Sequence, residues 1–280
     1  MRGNGGLLLA GVLVGLLSLS GCSDQQKSMF DQEIIHVGIK NNQPGTSMLN
    51  SNHNWEGFDV QIANQITKAL GSTPFFNDVA SAQREAVLIS HADDLVIATY
   101  SITPARMDLV HFIGPYAVTQ QGFMVRAENA QIDSLEGFRE KTVCSWTGTT
   151  SLEELRILAK SGFLRVIEKS DVEQCREELM ADRAFAVSTD QLLLYGIAES
   201  DPRLKVVPKV TVGTKNYYGV GIRKNRQEDC RRIRDFLRQY VVGSDWVRDL
   251  RTAIPGIDNP EDFRPNPLDT ARFSCVDKVD

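Results

Sequence analysis

The chain has no apolar run long enough to cross a bilayer. The longest, Leu7 to Leu19, is broken by Gly11 and Gly15 and stops short of the roughly 20 residues a spanning helix needs. Positive charge is not in excess: 31 Lys and Arg face 36 Asp and Glu, a formal net charge of -5, which excludes nucleic acid as a natural partner. The four histidines, His36, His53, His91 and His111, stand at no metal-binding spacing, and no Cys-x-x-Cys pair occurs, so no metal site is expected. There is also no phosphate-binding loop, no nucleophile elbow and no paired motif demanding catalysis. The residues therefore point to no cofactor and no catalytic site.

The amino terminus is laid out as a secretory signal: Arg2 as the only charge, the apolar run, then Leu19-Ser20-Gly21-Cys22 and a polar stretch from Ser23 to Ser28. The four residues ending at Cys22 resemble the bacterial lipobox, which implies cleavage after residue 21, acylation of Cys22 and anchoring on the extracytoplasmic face of the cell membrane. Buried acyl carbons, at about 0.8 kcal/mol per CH₂, suffice to hold a soluble domain there. With Cys22 assigned to lipid, Cys144, Cys175, Cys230 and Cys275 remain in an oxidising compartment. Four cysteines allow three pairings. Position along the chain favours Cys144 with Cys175, which share one segment, and Cys230 with Cys275, both near the carboxyl end; four reduced, buried thiols are the alternative.

Hydrophobic periodicity gives an α/β order. Ile34 to Lys40 reads as a buried strand, followed by a polar loop to Glu56. Val60, Ala63, Ile66 and Leu70 then repeat at helical spacing behind Asp59, with Gly71 as a stop. A second helical run, Ala82 to Ser90, and a strand, Leu95 to Thr99, follow. A β-rich block from Gly122 to Arg126 opens a similar series: helix Ser151 to Lys160, helix Val172 to Ala181, strand Phe185 to Ser188, helix Gln191 to Glu199 and strand Leu204 to Pro208. Strand Tyr217 to Arg223, a long helix Gln227 to Val241 and a shorter one, Ser244 to Arg251, precede a tail rich in Pro and Asp. The length suits two lobes.

Several blocks between residues 30 and 255 resemble family 3 of the bacterial extracellular solute-binding proteins, the polar amino-acid binders, and in particular those for glutamate and aspartate. Gly57-Phe58-Asp59-Val60-Gln61-Ile62 matches the family's loop-to-helix signature, with Gln61, expected to face solvent, where an acid is usual. Ala98 to Arg106, followed by Phe112 and Gly114-Pro115-Tyr116, is similar to its ligand-carboxylate element. There Arg106 offers parallel N–H donors to an α-carboxylate, with Thr99 and Ser101 beside it. Gly148-Thr149-Thr150, just before a helix, resembles a second carboxylate-binding turn, though Thr149 could equally be a helix cap. Asp190 falls where the family's acid receives the ligand's ammonium; it too could be only a cap. Lys40 stands where many relatives that bind other amino acids place an uncharged or aromatic residue, Arg84 lies in Ser81-Ala82-Gln83-Arg84-Glu85, a run that resembles the acidic-amino-acid binders, and with Arg106 the two would complement a ligand carrying two carboxylates. Trp146 and Tyr100 are further candidates for the cleft wall.

What the resemblance implies is a type II periplasmic-binding-protein fold, in which each lobe is a mixed α/β sheet flanked by helices and two crossover strands, near residues 122–127 and 217–223, form the hinge. The expected organisation is a leader at 1–21, a tether at 22–33, lobe one at 34–125 and 218–258, lobe two at 126–217 and a tail at 259–280. It also implies a monomer that closes on glutamate or aspartate and delivers it to an ABC permease. Two rivals share the fold: an amino-acid sensor for a membrane signalling partner, and an enzyme of dehydratase or lytic type.

Overall fold

A computed structural model describes residues 1, 3 and 28–277; the rest of the expected leader and Cys22 lie outside the described residues. Strands in chain order are β1 (Ile34–Ile39), β2 (Asn42–Gln43), β3 (Ser47–Leu49), β4 (Trp55–Glu56), β5 (Thr73–Asp78), β6 (Leu95–Val96), β7 (His111–Arg126), β8 (Thr142–Trp146), β9 (Arg165–Lys169), β10 (Ala186–Asp190), β11 (Leu204–Val206) and β12 (Val212–Ile222). Helices are α1 (Phe58–Leu70), α2 (Arg84–Ile89), α3 (Pro104–Met107), α4 (Thr150–Lys160), α5 (Val172–Met180), α6 (Gln191–Ser200), α7 (Gln227–Tyr240), α8 (Ser244–Ala253) and α9 (Pro267–Phe273).

A nine-stranded sheet runs β5-β1-β6-β12-β7-β10-β8-β9, with β11 added to β7, and β2-β3-β4 form a small separate sheet. In one half β5, β1 and β6 are parallel and β12 is antiparallel; in the other β9, β8 and β10 are parallel and β7 is antiparallel. Each half is sandwiched. Leu95 and Ile97 feed one apolar cluster while Val96 and Ala98 feed another, and Met124 and Val187 are separated in the same way from Phe123, Val125 and Ala186, as alternation on a strand buried on both faces requires.

β7 and β12 are the two strands common to both halves. β7 pairs with β12 from His111 to Gln121 and takes β10 as partner from Gln121 to Val125, and β12 shows register shifts between Val212 and Asn216 and between Tyr218 and Val220. The crossover is therefore centred at about residues 118–121 and 212–217, earlier in both strands than the sequence suggests, because only there does the ribbon leave one set of partners for the other.

Gly57 opens α1 with φ of 119°, and a Cβ there would lie 2.4 Å from the Thr46 carbonyl oxygen, so the glycine of the signature is a requirement of the turn. Gln61, expected to face solvent, is half-buried. The disulfides join Cys144 to Cys175 and Cys230 to Cys275. Both ends of the stretch 28–277 are docked: Met29 is fully buried and Ser28 bonds to Asp229 of α7, while Ser274 bonds to Gly114 of β7. The stretches expected as tether and tail thus contribute to one half's core.

Candidate functional site

Open α/β sheets bind ligands beyond the carboxyl ends of their parallel strands, where loops leave backbone groups and side chains free to converge. Lys40 follows β1, Ser81 follows β5, Thr99 follows β6, Trp146 ends β8, Asp190 ends β10 and Asp171 follows β9. The two halves present these ends to each other across a narrow cleft.

At its centre lies a small cavity of about 20 Å³ lined by Arg84, Thr99, Ser101, Thr149, Thr150 and Asp190, with Gln43, Ser81, Trp146, Ser151 and Thr189, room for about one water. Lys40 lines an adjoining cavity of about 160 Å³, together with Gln43, Asp78, Ser81, Trp146 and Asp171. Arg106 lines a broader groove of about 490 Å³ on the other side, with Glu85, Glu153 and Glu154. The eight residues expected at the site thus line three neighbouring spaces that share Ser81 as a wall.

The two arginines converge on one atom. Arg84 and Arg106 each donate from Nη2 to the Gly148 carbonyl oxygen at 2.9 Å, across the cleft. Arg84 also donates to the carbonyls of Ser81, Ala98 and Thr99. Arg106 donates to the Ser101 carbonyl at 2.7 Å and pairs through Nε with Glu85 at 3.3 Å. Both guanidinium groups lie over the buried ring of Tyr100, at 4.5 and 5.1 Å from its centroid, and Tyr100 in turn donates to Glu85 at 2.7 Å. Tyr100 is a platform for two cations.

Burial first, and then repulsion from Arg106, pushes Arg84 down to about 10. The Lys40 ammonium, 5 % exposed, donates to the Val79 carbonyl at 2.6 Å. Burial first, and then the Arg84 charge, brings its pKa down to about 7.

Asp190 sits at the N-cap position of α6 but makes no capping bond with its side chain. It accepts instead from Asn216 Nδ2 at 2.6 Å and Tyr218 O–H at 2.7 Å, both on β12, and burial raises its pKa. Thr149 does cap: it accepts from Leu152 N at 3.2 Å and donates to the Trp146 carbonyl at 2.7 Å, leaving the Thr150 hydroxyl 3.5 Å from that of Ser101 across the cleft. Gly148 holds φ of 79°, and a Cβ there would lie 2.5 Å from Ala82 N.

Sequence reasoning did not single out Gln43, Ser81, Asn216 or Tyr218, nor the supporting roles of Asp59 and Glu85. Asp59 is buried in the first turn of α1, accepting from Thr99 N at 2.8 Å and Tyr116 O–H at 2.7 Å; burial pushes its pKa up to about 6 against those bonds. It thereby holds Thr99, whose φ is 45°. For Asn216 and Tyr218 a signal was present: two residues apart on a strand, they point to one face and can reach one carboxylate.

The model of the bacterial extracellular solute-binding proteins, family 3, matches residues 35–244. A glutamate-binding protein, GluB, of Corynebacterium efficiens is 30% identical over 84% of this chain and 85% of its own length. A glutamine-binding protein of Geobacillus stearothermophilus is 28% identical over 64% of this chain and 68% of its own. The structure of an ancestral arginine-binding protein bound to arginine superposes with a TM-score of 0.72 at 26% identity, covering 80% of this chain and 99% of that one. Two mixed α/β halves joined by two crossover strands are the type II periplasmic-binding-protein fold. With its cleft at the strand ends, the chain belongs to the bacterial extracellular solute-binding proteins, family 3, as an extracytoplasmic amino-acid-binding protein of ABC transport systems and not an enzyme.

Proposed function

We propose that the protein captures glutamate or aspartate between its two lobes and hands it to an ABC permease. The observation that carries this reading is the charge set at the cleft, buried Lys40 and Arg84 and half-buried Arg106 with buried Asp190, which complements two carboxylates and one ammonium. Arg106 takes the α-carboxylate with Thr99, Ser101, Thr149 and Thr150; Asp190 takes the ammonium; Lys40 and Arg84 take the side-chain carboxylate. The glutamate-binding relative supports the choice of acid. A cavity of about 20 Å³ admits no amino acid, so ligand enters when lobes divided at the β7 and β12 crossover swing apart, and closure then buries its charges. Cys22 carries a lipid that holds the monomeric binding domain at the outer face of the membrane.

Calorimetric titration of the protein lacking residues 1–22 with glutamate, aspartate, glutamine and asparagine tests the reading. The acids bind more tightly than the amides, by a margin of about 1 to 3 kcal/mol, since an amide leaves a desolvated cation badly matched. Arg106→Ala abolishes binding of all four, whereas Lys40→Ala mainly removes the preference for acids. Equal loss for acids and amides in the Lys40 variant refutes its role, and glutamine preferred by the unaltered protein refutes the choice of ligand.

A further inference from the structure

On the face of the hinge ribbon turned away from Asp190 lies a separate cavity, of about 390 Å³, bounded by both lobes and by the ribbon itself, within the range of small-molecule sites. Asn216 and Lys215 are consecutive on β12 and so face opposite ways: Asn216 donates to Asp190, and Lys215 lines this rear cavity. Its apolar walls are Val118 of β7, Ile257 and a ring pair across the lobes, Tyr195 of α6 against Phe263 at 6.1 Å. The charged groups on its rim are Asp258, Asp262 and Lys215. The side chains of Asp258 and Lys215 are exposed and make no hydrogen bond or ion pair among the described residues; Asp262 accepts only from Asn259, at 2.8 Å. Both carboxylates act on the Tyr195 hydroxyl, which burial first and then their charges push upward, so two negative charges bear on an aromatic wall opposed by one positive charge.

We infer that this rear cavity is a binding site for a small organic ammonium ion with an apolar body. The ammonium lies between Asp258 and Asp262, and the body packs on Tyr195 and Phe263. Such an occupant acts on the cleft as well. Rotation that opens one face of a two-strand hinge narrows the other, so a molecule filling the rear cavity against Tyr195 and Phe263 resists opening and favours the closed form; by linkage, a cleft ligand tightens the rear site equally. α6 is the mechanical link, because it begins beside Asp190 at the cleft and carries Gln191 and Tyr195 at the rear.

Phenethylamine is the probe, titrated by calorimetry and by NMR into the protein lacking residues 1–22 with no amino acid present. The readout is thus independent of which amino acid the cleft prefers. Saturable binding is expected, weakened about tenfold in Asp258→Asn/Asp262→Asn by loss of the charged acceptors and retained in Asp190→Asn, which removes the charge the cleft would offer an ammonium and leaves both rear carboxylates in place. 3-Phenylpropionate, with the same ring and opposite charge, should not bind. With phenethylamine saturating, the dissociation constant of the cleft amino acid should fall. Absence of saturable binding, binding lost in Asp190→Asn, binding indifferent to the two aspartates, or equal binding of phenylpropionate overturns the assignment. An unchanged cleft affinity overturns the coupling.

Discussion

Lys40 is a residue whose protonation its surroundings have moved into the neutral range. Its pKa is brought from 10.5 to about 7 by burial and by Arg84, so between those values the unfolded chain holds a proton that the folded chain has released, and stability rises with pH across that window. Below about pH 7 the buried ammonium carries its full cost. Binding of an acid has the opposite dependence, because only the ammonium pairs with a carboxylate. Glutamate affinity should therefore fall above pH 7 by up to about tenfold per pH unit while glutamine affinity stays level. Calorimetry in buffers of different ionisation enthalpy should show proton uptake with glutamate; a flat glutamate profile would contradict this. Lys40, Arg84, Arg106 and Asp190 were nominated by the blocks that resemble the family, and the fold brings them to cavities at the ends of the strands. Their bonding was not legible: nothing local says that Asp190 forgoes capping for Asn216 and Tyr218, or that two guanidinium groups meet at the Gly148 carbonyl.

At the scale of elements, the turn leading into α4 is the part of the second lobe that reaches across the cleft. Adding a methyl group at Gly148 meets both a positive φ and Ala82 N at 2.5 Å. Gly148→Ala should thus spare the fold of each half yet weaken closure, lowering ligand affinity about tenfold or more for a strain of about 1 to 3 kcal/mol. Calorimetry alongside an unchanged thermal midpoint without ligand checks it; unaltered affinity would show that the turn is not a closure contact. Amphipathic helices α1, α4, α5, α6, α7 and α8 were readable from their spacing, since one apolar stripe in 3.6 residues is a strong pattern. β5 and β9 were missed. Both are edge strands with half-exposed, partly polar faces, and β5 contains Pro74, which an edge tolerates but which erases the alternating signal. The long β7 was seen only at its end, because Pro115 and the polar Thr119, Gln120 and Gln121 interrupt its apolar run.

For the whole molecule, the carboxyl-terminal segment is a structural part of the first lobe. The Cys230–Cys275 bridge closes 45 residues and Cys144–Cys175 closes 31 in the other lobe, each constraining the unfolded chain by about 4 kcal/mol. Cys275→Ser/Cys230→Ser should lower the thermal midpoint by several degrees while each half keeps its sheet, as followed by circular dichroism; an unchanged midpoint would show that the tail contributes no stability. α6 presses the lobes together: Gly196 lies so near Pro44 and Gly45 that a Cβ would fall 2.1 Å from the Pro44 carbonyl oxygen. No periodicity announces such a contact. The sequence by itself determined the α/β class and the alternation of strands and helices in two series, because burial periodicity acts along the chain. Only the tertiary structure decided where the ribbon crosses, which carbonyl the arginines share and that a separate cavity opens behind the hinge, since each depends on groups far apart in sequence brought together by packing.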